Sequence, residues 1–161
     1  MNRHELHPLL SAMFPVVKGI AETFGPNCEV VLHDLSRPRT SIIKIENNTV
    51  TGRKIGDGIT GLVWNVLRSP DFSDDMLVNY RYVTPDGKAI KATTILIRDD
   101  NRKVIGALCI NFDLTSFYKA KKAFDEFIAS NEIAVPGEKT VEIDNADVVD
   151  ILDYLVSKTI E

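Results

Sequence analysis

With 161 residues, 44% of them hydrophobic and 26% charged, the chain has the balance of a soluble domain large enough to bury a proper core. No apolar run approaches the roughly 18 residues of a membrane span, and nothing reads as a secretory leader. Its two cysteines lack metal-ligand spacing, so Cys28 and Cys109 read as buried, reduced thiols of a cytoplasmic protein.

In chain order, Leu6, Leu9, Leu10, Met13, Phe14, Val17, Ile20, Ala21 and Phe24 recur at three- and four-residue spacing, which predicts an amphipathic helix over 5–24. Pro8 suits a first turn, Pro15 should kink or split the helix, and Gly25-Pro26 ends it. Strands are predicted over 29–35 and 41–46, joined by a turn at 36–39. The Asn47-Asn48 turn then leads to a short extended piece at 49–51. The loop GRKIGDG (52–58) places Asp57 to cap a helix over 59–67. Residues 76–83 alternate as a third strand. Thr84-Pro85-Asp86-Gly87 fits a type I turn, with Pro second and Gly last.

Residues 90–113 predict a long antiparallel hairpin reversing at Asp99-Asp100-Asn101-Arg102. Pairing Ile97 with Val104 puts Lys91, Thr93, Ile95, Ile97, Val104, Gly106, Leu108, Ile110 and Phe112 on one face. The other then carries Ile90, Ala92, Thr94, Leu96, Ile105, Ala107, Cys109 and Asn111. Both faces are mostly apolar, so both should be covered. The second is small at its centre, which admits either a close-packed helix or a cavity. A helix over 114–130 with Thr115 near its cap carries the aromatic stripe Phe117, Phe124 and Phe127, read as core. A last helix is predicted over 145–159. Residues 131–161 hold eight acids against two bases, net −6, and form a compositionally separate acidic segment. The division expected is a sensor-like domain over 1–130, including the N-terminal helix, and an acidic linker with a helix over 131–161. Five antiparallel strands with a helical connection between the second and third give the α+β layout of a PAS or related GAF-like fold. A ferredoxin-like fold needs four strands in another order.

Catalytic chemistry finds little support. His33 and Asp34 are strand neighbours whose side chains point to opposite faces, so they read as structural. His4 and His7 read as solvated. Cys109 lacks a nearby base or a helix N-terminus to lower its pKa. GRKIGDG lacks the context of a phosphate loop, and Asp99-Asp100 is turn chemistry, not a metal pair. What stands out is a polar set near the small-residue centre of the sheet: Thr94, Asn111, Asn79 or Tyr80, and Asp34. Such groups need partners, either a bound small molecule or loop backbone.

CEVVLHDL (28–35), GRKIGD (52–57), Asn79-Tyr80 and IRDDNRKVIGALCINFDLT (97–115) together resemble the YheO-like PAS family over about residues 6–130. The resemblance implies the cytoplasmic, ligand-sensing half of a bacterial transcriptional regulator, whose DNA-binding helix-turn-helix would follow. The chain stops just after the helix expected to end near 159, where a family member would go on, so it is expected to be a fragment or a stand-alone sensor. No flavin-type cysteine motif or haem histidine is present, and no cofactor, metal or enzymatic activity is expected. The expected partners are a small-molecule effector and a second copy of the chain, in a homodimer formed partly through the 6–24 helix. DNA is expected only through a domain missing here, and no membrane. The expected ligand cavity lies between the sheet and the 59–67 helix with its GRKIGDG loop. Its residues are Asp34, Arg53, Tyr80, Arg81, Thr94, Cys109 and Asn111. A ligand-free dimerisation module is the alternative.

Overall fold

The computed structural model describes residues 6–59, 61 and 75–129. The helix expected over 59–67 lies outside them except for residues 59 and 61, and the helix expected over 145–159 and the acidic segment 131–161 lie wholly outside. Helix α1 (Pro8–Ala12) opens with Pro8 in its first turn and His7 as N-cap, the Leu9 N–H donating to His7 Nδ1 at 3.3 Å. Helix α2 (Phe14–Phe24) restarts after Met13 with Pro15 in its own first turn, where an N–H is not needed. The proline therefore splits the predicted helix. Gly25 ends it at φ 78°, a conformation open to glycine at little cost.

Five strands follow: β1 (Cys28–Asp34), β2 (Ile42–Glu46), β3 (Met76–Val83), β4 (Ala89–Arg98) and β5 (Val104–Asp113). They form one antiparallel sheet in the order β2-β1-β5-β4-β3. The hairpin strands β4 and β5 are thus interior, as their two apolar faces require. Their register differs from the expected one by two residues: Ile97 faces Gly106 and Thr94 faces Cys109, while a bulge places Arg98 opposite Val104. An even shift leaves the alternation intact, so the predicted faces survive the wrong register. Asp99 closes the hairpin, its carboxylate accepting from the N–H groups of Asn101 and Lys103.

One sheet face is covered by α1 and α2. Leu10, Val17 and Ala21 pack with Cys28, Val30, Leu32 and Leu108, all at most 3% exposed, and Ile95, Ile97, Ile110 and Phe112 extend this cluster. Each large side chain so buried contributes roughly 1.5–3 kcal/mol. The close approach depends on Gly106, where an added Cβ would lie 2.5 Å from Leu10 Cδ2 and 2.6 Å from the His33 carbonyl oxygen.

Two expectations are corrected. Residues 48–51 form a turn, not an extended piece, with Val50 N–H donating to Asn47 O and Gly52 N–H to Asn48 O. Val50 is thereby buried against Ile90 and Ala92. Helix α3 (Thr115–Ile128) has its first amide capped by Asp113 at 2.8 Å. Its aromatic stripe is not core: Phe117, Phe124 and Phe127 are 59%, 69% and 87% exposed. Helical spacing shows that apolar side chains share a face, but not that the chain supplies something to cover it.

Candidate functional site

The sheet face away from α1 and α2 carries the polar groups. Strand alternation puts Glu29, Val31 and His33 of β1 on it, because Cys28, Val30 and Leu32 pack toward the helices. Register then adds Ala107, Cys109 and Asn111 from β5, Ala92 and Thr94 from β4, and Tyr80 and Tyr82 from β3. Glu29, His33 and Thr94 are fully buried and Asn111 is nearly so.

Each of these groups has a specific setting. The Glu29 carboxylate accepts from Asn111 Nδ2 at 2.9 Å, from the Thr51 amide at 3.1 Å and from the Thr51 hydroxyl at 2.7 Å. It therefore ties the turn after β2 to the sheet. Tyr80 Oη and Thr94 Oγ1 are 2.9 Å apart, and Thr94 Oγ1 reaches Cys109 Sγ at 3.5 Å. The Tyr80 and Tyr82 rings stack at 6.4 Å between centroids. His33 Nδ1 lies 2.9 Å from Ser41 Oγ, while its Nε2 is buried with no hydrogen-bond partner among the described residues.

Burial sets the electrostatics. It pushes the Tyr80 phenol up to about 12 and raises the Tyr82 phenol and the Cys109 thiol as well. His33 is lowered to about 4, by burial first and by the nearby Arg53 guanidinium second. These side chains are thus kept neutral near pH 7. Arg53 is held by its loop, an Nη2 donating to the Gly58 carbonyl. That loop is fixed to β2 in turn, through Gly56 N–H to Ile42 O and Ile42 N–H to Asp57 O. Asp57 itself accepts from the Lys54 N–H within the loop. With the Glu29 carboxylate already hydrogen-bonded, neutral donors and acceptors beside the Arg53 cation suit recognition of a polar molecule more than bond-making, for the thiol and phenols are poor nucleophiles when protonated.

Of the sequence-derived site residues, Tyr80, Thr94, Cys109 and Asn111 share this face, and the field of Arg53 reaches it. Asn79 sits at a bulge in β3 with φ 58° and is exposed. Asp34 does not share the face. It points to the opposite one, where it lines a groove of about 650 Å³ with His7, Leu10 and Lys103 and accepts from the Ser36 N–H. Arg81 also lies off this face: it pairs with Lys91 in register, is exposed, and reaches Tyr118 Oη at 3.4 Å. The same parity that separates His33 from Asp34 selects the histidine. Glu29, His33, Ser41 and Tyr82 were missed, though alternation from Val31 would have found Glu29 and His33.

A family profile described as YheO-like PAS domain matches residues 4–129. The uncharacterized protein YheO of Escherichia coli strain K12 is 41% identical over 108 residues, which cover 66% of this chain and 45% of that protein. The transcriptional regulator DauR of Pseudomonas aeruginosa is 30% identical over 126 residues, covering 78% of this chain and 57% of that one. The chain thus spans about half the length of these relatives. Among solved structures, the PAS domain of a Colwellia psychrerythraea protein is 22% identical with a TM-score of 0.44, covering 63% of this chain and 98% of that one. An RNA-binding light-oxygen-voltage receptor is 14% identical with a TM-score of 0.46, covering 79% and 40%.

Proposed function

The chain belongs to the YheO-like PAS domain family, and from that premise we propose that it is the small-molecule-sensing part of a bacterial transcriptional regulator. A relative carries the name transcriptional regulator, and DNA contact is assigned to a domain outside this chain. The observation that carries the sensing role is the polar row Glu29, His33, Thr94 and Asn111, buried across three neighbouring strands beside Ala92 and Ala107. Apolar side chains would fill such a face at lower cost, since each buried polar group requires a partner. Ligand binding over this face, between the sheet and the 52–59 loop, gives the polar row its purpose. No helix among the described residues is long and apolar enough to cross a membrane, and the cytoplasm is the compartment proposed.

Self-association belongs to the same proposal. The main apolar stripe of α2 is occupied by its own sheet, while Phe24, Phe117 and Phe124 are more than half exposed. That exposure favours a homodimer, and it is what a ligand-free dimerisation module would also show. The two readings part on one experiment. A thermal-shift screen against amino acids and small carboxylates, with mass spectrometry of co-purified small molecules, is expected to yield a stabilising compound. Its effect should be lost in Ala107→Leu, which fills the space beside the polar row. A folded dimer by light scattering that no compound stabilises would leave the dimerisation module as the function.

A further inference from the structure

Resting on the sensing role just proposed, we infer that His33, not the Asp34 beside it, meets the ligand at the β1 end of this face, and that the group it meets is a carboxylate shared with Arg53. The first support is the hydrogen bonding of the imidazole. His33 is fully buried, and Ser41 Oγ occupies Nδ1 at 2.9 Å. Nε2 has no hydrogen-bond partner among the described residues. We assign the tautomer in which the Ser41 hydroxyl donates to Nδ1, so that the ring presents Nε2–H as a donor, and a buried donor without an acceptor is costly.

A small neighbour is the second support. The register partner of His33 on β5 is Ala107, itself fully buried, so the side chain beside the imidazole is a single methyl. The third is charge. Both oxygens of Glu29 are engaged by Asn111 and Thr51, so the buried anion on this face already has its donors. Among the described residues, two donors on this side of the face have capacity left over: the His33 Nε2–H and the guanidinium of Arg53, which commits one nitrogen to the Gly58 carbonyl. Arg53 is also the cation whose field reaches His33, Tyr82 and Cys109. A carboxylate matches that set, with one oxygen for the imidazole N–H and charge pairing for the guanidinium. An ammonium group would face an arginine and a carboxylate already satisfied.

The test uses the full chain and a panel built on shared skeletons: succinate, succinamide, butanediol and diaminobutane, together with other short carboxylates and their amides, alcohols and amines. Carboxylates are expected to raise Tm in a dose-dependent way and the neutral and cationic counterparts not to. His33→Phe and Arg53→Gln should each weaken the best carboxylate by about tenfold or more, with His33→Gln between them and wild type. Should these variants fail to fold, the imidazole nitrogen resonances of the wild-type protein decide: His33 Nε2 must shift when the carboxylate is added and stay put with the amine. A neutral or cationic compound whose binding His33→Phe leaves unchanged would overturn the inference while leaving the sensing role intact. Failure of every compound to bind, screened or co-purified, would overturn both.

Discussion

Asn111 and Glu29, 82 residues apart, are register partners on β5 and β1, and the Asn111 amide donates to the Glu29 carboxylate at 2.9 Å. Two further donors from Thr51 complete the shell of this fully buried acid. Glu29→Ala leaves those donors unsatisfied inside the protein and should destabilise by roughly 2–4 kcal/mol. Glu29→Gln keeps the shape but presents an NH2 group to donors, and should cost about half as much. Urea denaturation of the three proteins measures both. A Glu29→Ala variant as stable as wild type would show that the carboxylate does not anchor the turn.

Asn47 holds the other end of the same turn. Its Nδ2 donates to Gly25 O at 2.9 Å and Cys28 O at 2.8 Å, with Ala21 O at 3.3 Å, so it joins the end of α2 to the start of β1. Its backbone is left-handed at φ 54°, which asparagine tolerates better than alanine. Asn47→Ala is expected to cost about 2–3 kcal/mol, and Asn47→Gly less, because glycine relieves the backbone without restoring the hydrogen bonds. Equal losses in the two variants would place the whole effect in the side chain.

Gly106 is the contact point between the sheet and α1. A Cβ there would stand 2.6 Å from the His33 carbonyl oxygen, a backbone atom that cannot rotate away. Gly106→Ala should therefore destabilise by roughly 1–3 kcal/mol through overpacking. Leu10→Ala alone should also destabilise, by about 2–5 kcal/mol. Together the two should cost less than their sum, because the smaller residue 10 gives back part of the room. Strict additivity in a double-mutant cycle would show that Leu10 plays no part in the clash.

His33 makes stability depend on pH. Its folded pKa is depressed to about 4, while the unfolded chain protonates it near the usual 6.5. Between those values the unfolded state binds a proton that the native state refuses. The stability it contributes is thus complete above about pH 6.5 and is lost as pH falls toward 4, by roughly 3 kcal/mol in all. Chemical denaturation across that range should show wild type losing stability more steeply than His33→Gln. A constant difference between the two proteins would mean that the histidine charges without penalty in the folded state.

The alternation of residues 90–98 and 104–113 contains, in the sequence alone, which side chains share a face. That division does not depend on the two-residue difference in register, because parity is local and an even shift preserves it. The break at Pro15, the turn chemistry of Asp99 and the Gly87 turn, where its N–H reaches Thr84 O, were legible for the same reason. Parity separates His33 from Asp34 in the sequence alone, but it is the pairing of His33 with Ala107 and of Asp34 with Gly106 that fixes which one joins the polar row. Partners distant in the chain were decided only by the tertiary structure: Asn111 for Glu29, Asn47 for the end of α2, and α1 with α2 for the Leu108 face. So was the exposure of Phe117 and Phe124, which their helical spacing could not foretell. Side-chain direction follows from the period of the local backbone, but a partner depends on how the strands are ordered, and that order is a property of the whole sheet.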